Sequence, residues 1–280
     1  MTESPIPREQ RPAIANYLSE RLSGPVSIET WTQQESQLVR TDRDPCTFCS
    51  QVATAAKQLA SLHPLISLTL YDLDRHAERA REAGIERPPV TVVRGANGSG
   101  FRLVGMWSGL LFPAFVDGLL FAGGGSAPIQ EQTRAALQAL DAESTEPLPI
   151  ELLVAPYDPY SAHTLRILEA FAVESRRIRF EAIEVSEFPR LAAARLLRDV
   201  PVLTIDGRRF PGAWEETQLI EQIRRIAAGN SEPVIRDQVL TAPFMTVEQA
   251  QALAASEGQP GAGPAGGPPT TPGGLVLPGG

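Results

Sequence analysis

Apolar and polar positions along the chain switch between a period of two and a period near 3.6, and the switches predict an order of elements. Val26–Thr32 alternates as a strand, and residues 50–62 place Val52, Ala56, Leu59 and Ala60 on one face of a helix. Ile66–Leu73 alternates again, and residues 75–83 form a short helix. Pro89–Arg94 and Phe101–Met106 read as two strands, and Leu110–Ala122 as a last helix closed by Gly123–Gly125. A polar, helix-prone stretch at 127–143 follows, and the order then repeats. Ile150–Ala155 is a strand, Ala162–Ser175 a helix, Ile178–Val185 a strand and 187–197 a helix. Pro201–Ile205 and Arg208–Pro211 are strands, and Glu216–Ala228 is the last helix.

Upstream, Ile14, Tyr17, Leu18 and Leu22 outline a short helix. Beyond about residue 230 the pattern fades, apart from one helical stretch at Val247–Ala255. These breaks predict an N-terminal helical extension at 1–23, a first unit at 24–126 and a connecting helix or linker at 127–147. A second unit follows at 148–230, then an extension at 231–257 and a tail at 258–280. In the tail 15 of 23 residues are Gly or Pro, a composition that buries too little to offset its ordering entropy, so disorder is expected there.

The two units superpose at an offset of 112 residues: Cys46 falls on Asp158, Cys49 on Ser161, Ile66 on Ile178, Leu68 on Phe180 and Pro89 on Pro201. Downstream the offset slips, because residues 95–100 make a longer turn than Asp206–Gly207, yet Gly105-Met106-Trp107 answers Gly212-Ala213-Trp214. A repeat this long means two copies of one fold rather than a solenoid. The length of 280 residues agrees with two domains, and 42% apolar residues suffice for ordinary cores.

Charge and composition narrow the function. The net charge is −8 and the basic residues are scattered, all arginine except Lys57, so the clustered footprint of a nucleic-acid groove is missing. The most apolar stretch, Leu110–Ala122, is short and carries Pro113, Asp117 and Gly118, so no membrane span is expected. The N-terminus lacks a basic-then-apolar order, which makes the cytoplasm the expected compartment. Both cysteines, Cys46 and Cys49, fall in one Cys-x-x-Cys.

Strand, Cys46-Thr47-Phe48-Cys49 opening a helix, strand, helix, then Arg87-Pro88-Pro89-Val90 leading into two strands and a helix: this order resembles the thioredoxin fold. Over roughly residues 24–228 the chain is similar to the tandem, glutaredoxin-like protein disulfide oxidoreductases of thermophiles. It is also similar to the N-terminal tandem domain of the flavoprotein subunit of alkyl hydroperoxide reductase. The run Gly100-Phe101-Arg102-Leu103-Val104-Gly105, the helix to Ala122 and Gly123-Gly124 carry that likeness. The fold class implied is α/β, two tandem thioredoxin-like folds with mixed sheets flanked by helices, followed by the disordered Gly/Pro-rich tail. The resemblance also implies a cis proline at Pro89 facing the thiols, with Asp199-Val200-Pro201-Val202 as its counterpart. The chain departs from both families where the second fold normally keeps a working cysteine pair. That site reads Asp158-Pro159-Tyr160-Ser161, so Asp158, Ser161 and Pro201 mark a redox-degenerate second site. No Gly-x-Gly-x-x-Gly follows a strand, and neither a flavin nor a nicotinamide nor any other cofactor is expected.

At a helix N-terminus, unpaired backbone N–H groups and the helix dipole stabilise a thiolate, which makes Cys46 the attacking thiol and Cys49 the resolving one. Phe48 either contacts a partner or fills the rim of the site. Pro89 would hold the opposing loop, so that the carbonyl of Pro88, which has no N–H, pairs with a bound peptide. Half a zinc site is the usual competitor. It needs two more ligands, and His63, His76 and His163 are badly distributed to supply them, so no metal is expected. An inert structural pair is a third reading. His163 reads as a solvated first-turn residue, and Asp158 with Ser161 as a helix cap rather than a hydrolytic pair. Glu29 is either a buried proton-shuttling acid or a surface glutamate.

The expectation is a thiol–disulfide oxidoreductase acting on protein disulfides, with a thioredoxin-reductase-like enzyme as the candidate that recycles it. The second fold would shape the cleft or dock that reductase. The alternatives are a non-catalytic scaffold using the grooves beside Pro89 and Pro201, or a redox sensor.

Overall fold

A computed structural model describes residues 4–34 and 46–257. The tail at 258–280 and most of the long loop before Cys46 lie outside the described residues. In the first half, β1 (Val26–Thr32) and β2 (Ile66–Asp72) pair in parallel, with α2 (Cys49–Ala60) making the crossover between them. The chain returns through α3 (Ala77–Glu82) to the antiparallel β3 (Val90–Gly95) and β4 (Gly100–Val104), then enters α4 (Leu111–Gly124). Ahead of this, α1 (Arg11–Arg21) sets Leu18, and Leu22 just beyond it, into the core. After α5 (Glu131–Glu143) the second half repeats the order. β5 (Leu148–Val154) and β6 (Ile178–Glu184) are parallel across α6 (Pro159–Glu174). A 3-10 turn at Val185–Glu187 and α7 (Pro189–Ala194) lead to β7 (Asp199–Val200), β8 (Val202–Ile205) and β9 (Arg208–Pro211), and α8 (Glu216–Ala227) follows. The described residues end with β10 (Ala242–Pro243) and α9 (Val247–Glu257).

Among the described residues, eight strands form one continuous sheet in the order β2-β1-β3-β4-β6-β5-β8-β9. The halves join where β4 runs parallel to β6, pairing Arg102 with Glu181, Leu103 with Ala182 and Val104 with Ile183. Arg102 bridges the seam, 3.2 Å from the Glu181 carboxylate and within hydrogen-bond reach of the Ala83 and Gly84 carbonyls. Over one face of the sheet α4 packs on α6 and buries Phe115, Leu119, Leu165, Leu168 and Phe171 completely. The helices come this close at Gly118, where an added Cβ would lie 2.6 Å from the Phe101 ring and 2.8 Å from the Glu169 carboxyl. On the other face a smaller apolar cluster gathers Trp31, Val90, Val104, Leu153, Ile183 and Val202.

Local chemistry trims two expected elements and adds one. The strand expected to reach Met106 stops at Val104, because Gly105 adopts φ +93°, a conformation that breaks the extended run. The helix expected over 187–197 is shorter, beginning with Pro189 in its first turn and ending before Leu196, whose φ of 50° is left-handed. Beyond residue 230 the chain adds β10, which pairs with β7.

Phe115 is fully buried and stacks on Trp107 with ring centroids 4.4 Å apart. Phe115→Ala is expected to lower stability by about 3–5 kcal/mol, measured by chemical denaturation.

Candidate functional site

The pairing of Trp31 with Val90 brings the end of β1, from which the chain runs to Cys46, level with Pro89 at the start of β3. The pairing of Leu153 with Val202 does the same for the end of β5, Asp158 and Pro201. Both sites therefore lie at the same end of the sheet. Pro89 is buried and its carbonyl accepts the Gly105 N–H at 2.8 Å, as the Pro201 carbonyl accepts the Gly212 N–H at 2.8 Å. The Pro88–Pro89 and Val200–Pro201 peptide bonds are both cis.

Cys46 and Cys49 form a disulfide at the start of α2, with Cα atoms 5.5 Å apart. Cys49 is buried and its sulfur accepts the Gln33 N–H at 3.0 Å, whereas Cys46 is partly exposed. Phe48 is half-buried and occupies the N-cap position of α2 without a side-chain cap. Among the described residues no side-chain oxygen caps the first-turn N–H groups, and these are the donors that favour a thiolate at such a position.

The second half fills the equivalent place differently. Asp158 is fully buried and caps α6, accepting from Tyr160 N at 3.0 Å, Ser161 N at 2.8 Å and Ser161 Oγ at 2.6 Å. Burial raises its pKa, and the hydrogen bonds to Ser161 and Tyr160 oppose that rise. Ser161 Oγ accepts the Ala155 N–H at 3.2 Å, the same bond from the first residue after the strand that Cys49 takes from Gln33. A carboxylate and a hydroxyl thus fill the places of the two sulfurs. His163, in the next turn, is exposed and lies 3.6 Å from Glu215.

Glu29 does not reach this machinery. Val26 and Ile28 belong to the core cluster that includes Ala55, Ala56 and Leu59 of α2, so the two-residue period turns Glu29 to the opposite face of the sheet. There it pairs with Arg94 at 2.8 Å, as a partly exposed ion pair, and the buried-acid reading is set aside. Among the described residues no group of three or more His, Cys, Asp or Glu could hold a metal.

The periodicity missed a pair of acids beside the first site. Glu187 accepts the Met106 N–H at 2.6 Å, next to the Gly105 that bonds Pro89. Glu184 packs where a Cβ on Gly105 would stand, 2.9 Å away, and accepts the Ser186 N–H. Burial pushes the Glu184 carboxyl up to about 7, against hydrogen bonds that lower it. Burial, then the nearby Glu184 charge, pushes Glu187 up to about 9. The pair can hold a proton at neutral pH at the strand end that carries Pro89. Only the three-residue spacing of the two glutamates past a strand was visible beforehand.

No protein-family model and no curated protein sequence matches the chain. Among solved structures it is similar to the alkyl hydroperoxide reductase AhpF of Enterococcus faecalis, with a TM-score of 0.66 and 19% identity, over 78% of this chain and 99% of that one. A protein disulfide oxidoreductase from Aeropyrum pernix aligns with a TM-score of 0.68 and 21% identity, over 81% of this chain and 95% of the other. The fold is the tandem thioredoxin-like fold of these two proteins.

Both glutamates have folded-state pKa values above the ordinary 4.5, so stability is fully present below that pH and is lost as pH rises through 7 to 9. The double variant Glu184→Gln, Glu187→Gln is expected to flatten this dependence. Denaturation between pH 5 and 9 should show wild type losing stability relative to the variant as the pH rises.

Proposed function

We propose that the protein is a thiol–disulfide oxidoreductase that exchanges with protein disulfides through Cys46 and Cys49. The observation that carries this reading is the Cys46–Cys49 pair at an uncapped helix start, with one sulfur buried and the other partly exposed. In the reducing direction the Cys46 thiolate attacks one sulfur of a substrate disulfide, and the other substrate sulfur leaves as a thiolate. The Cys49 thiolate then attacks Cys46 in the mixed disulfide, forming the Cys46–Cys49 bond and releasing the second substrate thiol. Two electrons pass to the substrate, and a thioredoxin-reductase-like enzyme would return the pair to its dithiol form. The oxidising direction runs the same steps backwards.

Phe48 and Pro88 would border the bound peptide, with the Pro88 carbonyl as acceptor and Pro89 fixing the loop. The second half, with Asp158 and Ser161 in place of thiols, would take no part in exchange. Among the described residues no helix is long and apolar enough to cross a membrane, and a cytoplasmic protein is the reading we favour.

Reduction of a protein disulfide by the purified chain, with a small dithiol as the electron source, tests the proposal. Cys46→Ser should abolish turnover. Cys49→Ser should accumulate a mixed disulfide through Cys46, visible as a mass increase on intact protein. A redox titration should give a two-electron transition between about −270 and −120 mV, the range of exchange catalysts. Thiols that never pair, or turnover unchanged in Cys46→Ser, would contradict it. Intact partner affinity in Cys46→Ser without turnover in wild type would favour a scaffold.

A further inference from the structure

Beside Pro201, the counterpart of Pro89, the groove of the second half is filled by the chain itself. β10 lies antiparallel to β7, with Ala242 opposite Val200 and Pro243 opposite Asp199, so an extended segment adds a strand to the residues just before Pro201. The Phe244 N–H donates to the Arg198 carbonyl at 2.8 Å. Tyr157, next to Asp158, closes the other side: its hydroxyl donates to the Pro243 carbonyl at 3.2 Å and accepts the Met245 N–H at 2.6 Å.

Upstream, the Leu240 carbonyl accepts the Ala213 N–H at 2.9 Å. Arg236 lies 3.9 Å over the buried Trp214 ring and donates to the Pro211 and Ala213 carbonyls. Gly212 makes room for this approach, since a Cβ there would stand 2.6 Å from Val239.

The segment is held mainly by main-chain bonds and one stacked arginine. Ile235 and Val239 are left outside, 92% and 50% exposed, while Val234 and Phe244 seat partly buried against the core. That is the pattern of a peptide added to a sheet edge, where backbone pairing gives affinity and a few pockets give selectivity. In the first half no strand among the described residues pairs with Arg87-Pro88.

We propose that the second half is a peptide-binding module and that residues 234–246 are its ligand, carried in the same chain. The ligand class is an extended peptide with an arginine followed by a small residue, proline and an aromatic, here Arg236 and Ala242-Pro243-Phe244. Occupied in this way, the second groove is closed to other extended chains, whereas among the described residues no strand pairs at the corresponding edge beside Pro89. The proposal holds whether or not Cys46 turns over.

The test uses the full-length protein and a labelled synthetic peptide of residues 232–246. In wild type the amides of Ala213, Phe244 and Met245 should be protected from hydrogen exchange, and the peptide should not bind. In Arg236→Ala combined with Ala242→Pro, both within the segment, protection at Phe244 and Met245 should fall at least tenfold, with Leu152 and Ile183 unchanged. That variant should bind the peptide, and adding Tyr157→Phe should weaken the binding. Arg236→Ala alone, which leaves the strand pairing in place, should give a smaller release in the same direction. The proposal is overturned if the opened variant keeps its protected sheet yet does not bind the peptide. It is equally overturned if wild type binds the peptide as well as the variant does, or if neither substitution loosens the segment.

Discussion

One row of side chains in register decides where everything else stands. Trp31, Val90, Val104, Ile183, Leu153 and Val202 follow one another across six strands and through the seam between the halves. They bury a single apolar strip on one face of the sheet. A slip of one residue at the β4–β6 seam would turn every following side chain to the wrong face, so burial of the row locks the register. With the row fixed, Pro89 and Pro201 fall one step beyond it, and so do the strand ends that feed Cys46 and Asp158. The Glu184–Glu187 pair also begins one step beyond the row, in the gap between the halves, which is why Glu184 is buried and Glu187 partly so.

The two halves then differ in what stands at one helix start. Asp158 brings a built-in acceptor to the first turn of α6, and three hydrogen bonds use it. Cys46 precedes an equivalent turn with no side-chain cap, so those N–H groups favour a negative charge that the thiol can supply on losing its proton. One start is satisfied permanently and the other only when the sulfur ionises. In the proposed function that difference separates an inert fold from an exchanging one. The occupied groove beside Pro201 fits the same division, since a site without thiols gains nothing from staying open to disulfide substrates.

Much of this order was legible in the sequence, because long elements with one buried face carry a period. β1, β2, α2, α6 and α8 stand close to the positions their apolar spacing gives, and the offset of Cys46 to Asp158 and Pro89 to Pro201 aligned the halves. Features made by packing between distant segments had no period to read. β10 is two residues, Ala242-Pro243, and becomes a strand only because Val200 offers an edge. Glu184 and Glu187 look like ordinary acids after a strand until Met106 and Gly105 from the other half cover them. Glu29 was open to two readings for want of one fact, the face of β1 on which α2 lies. The continuity of the sheet through Arg102 and Glu181 was likewise invisible, being a contact between two units that each read as complete.

The most direct test is the ionisation of Cys46 in the reduced protein, followed by the pH dependence of its alkylation rate with Cys49→Ser as background. The account predicts an apparent pKa near 7 or below, against about 8.5 for an unperturbed cysteine. A value at or above 8.5 would mean that the uncapped start of α2 does not stabilise the thiolate, and the proposed exchange chemistry would lose its physical basis.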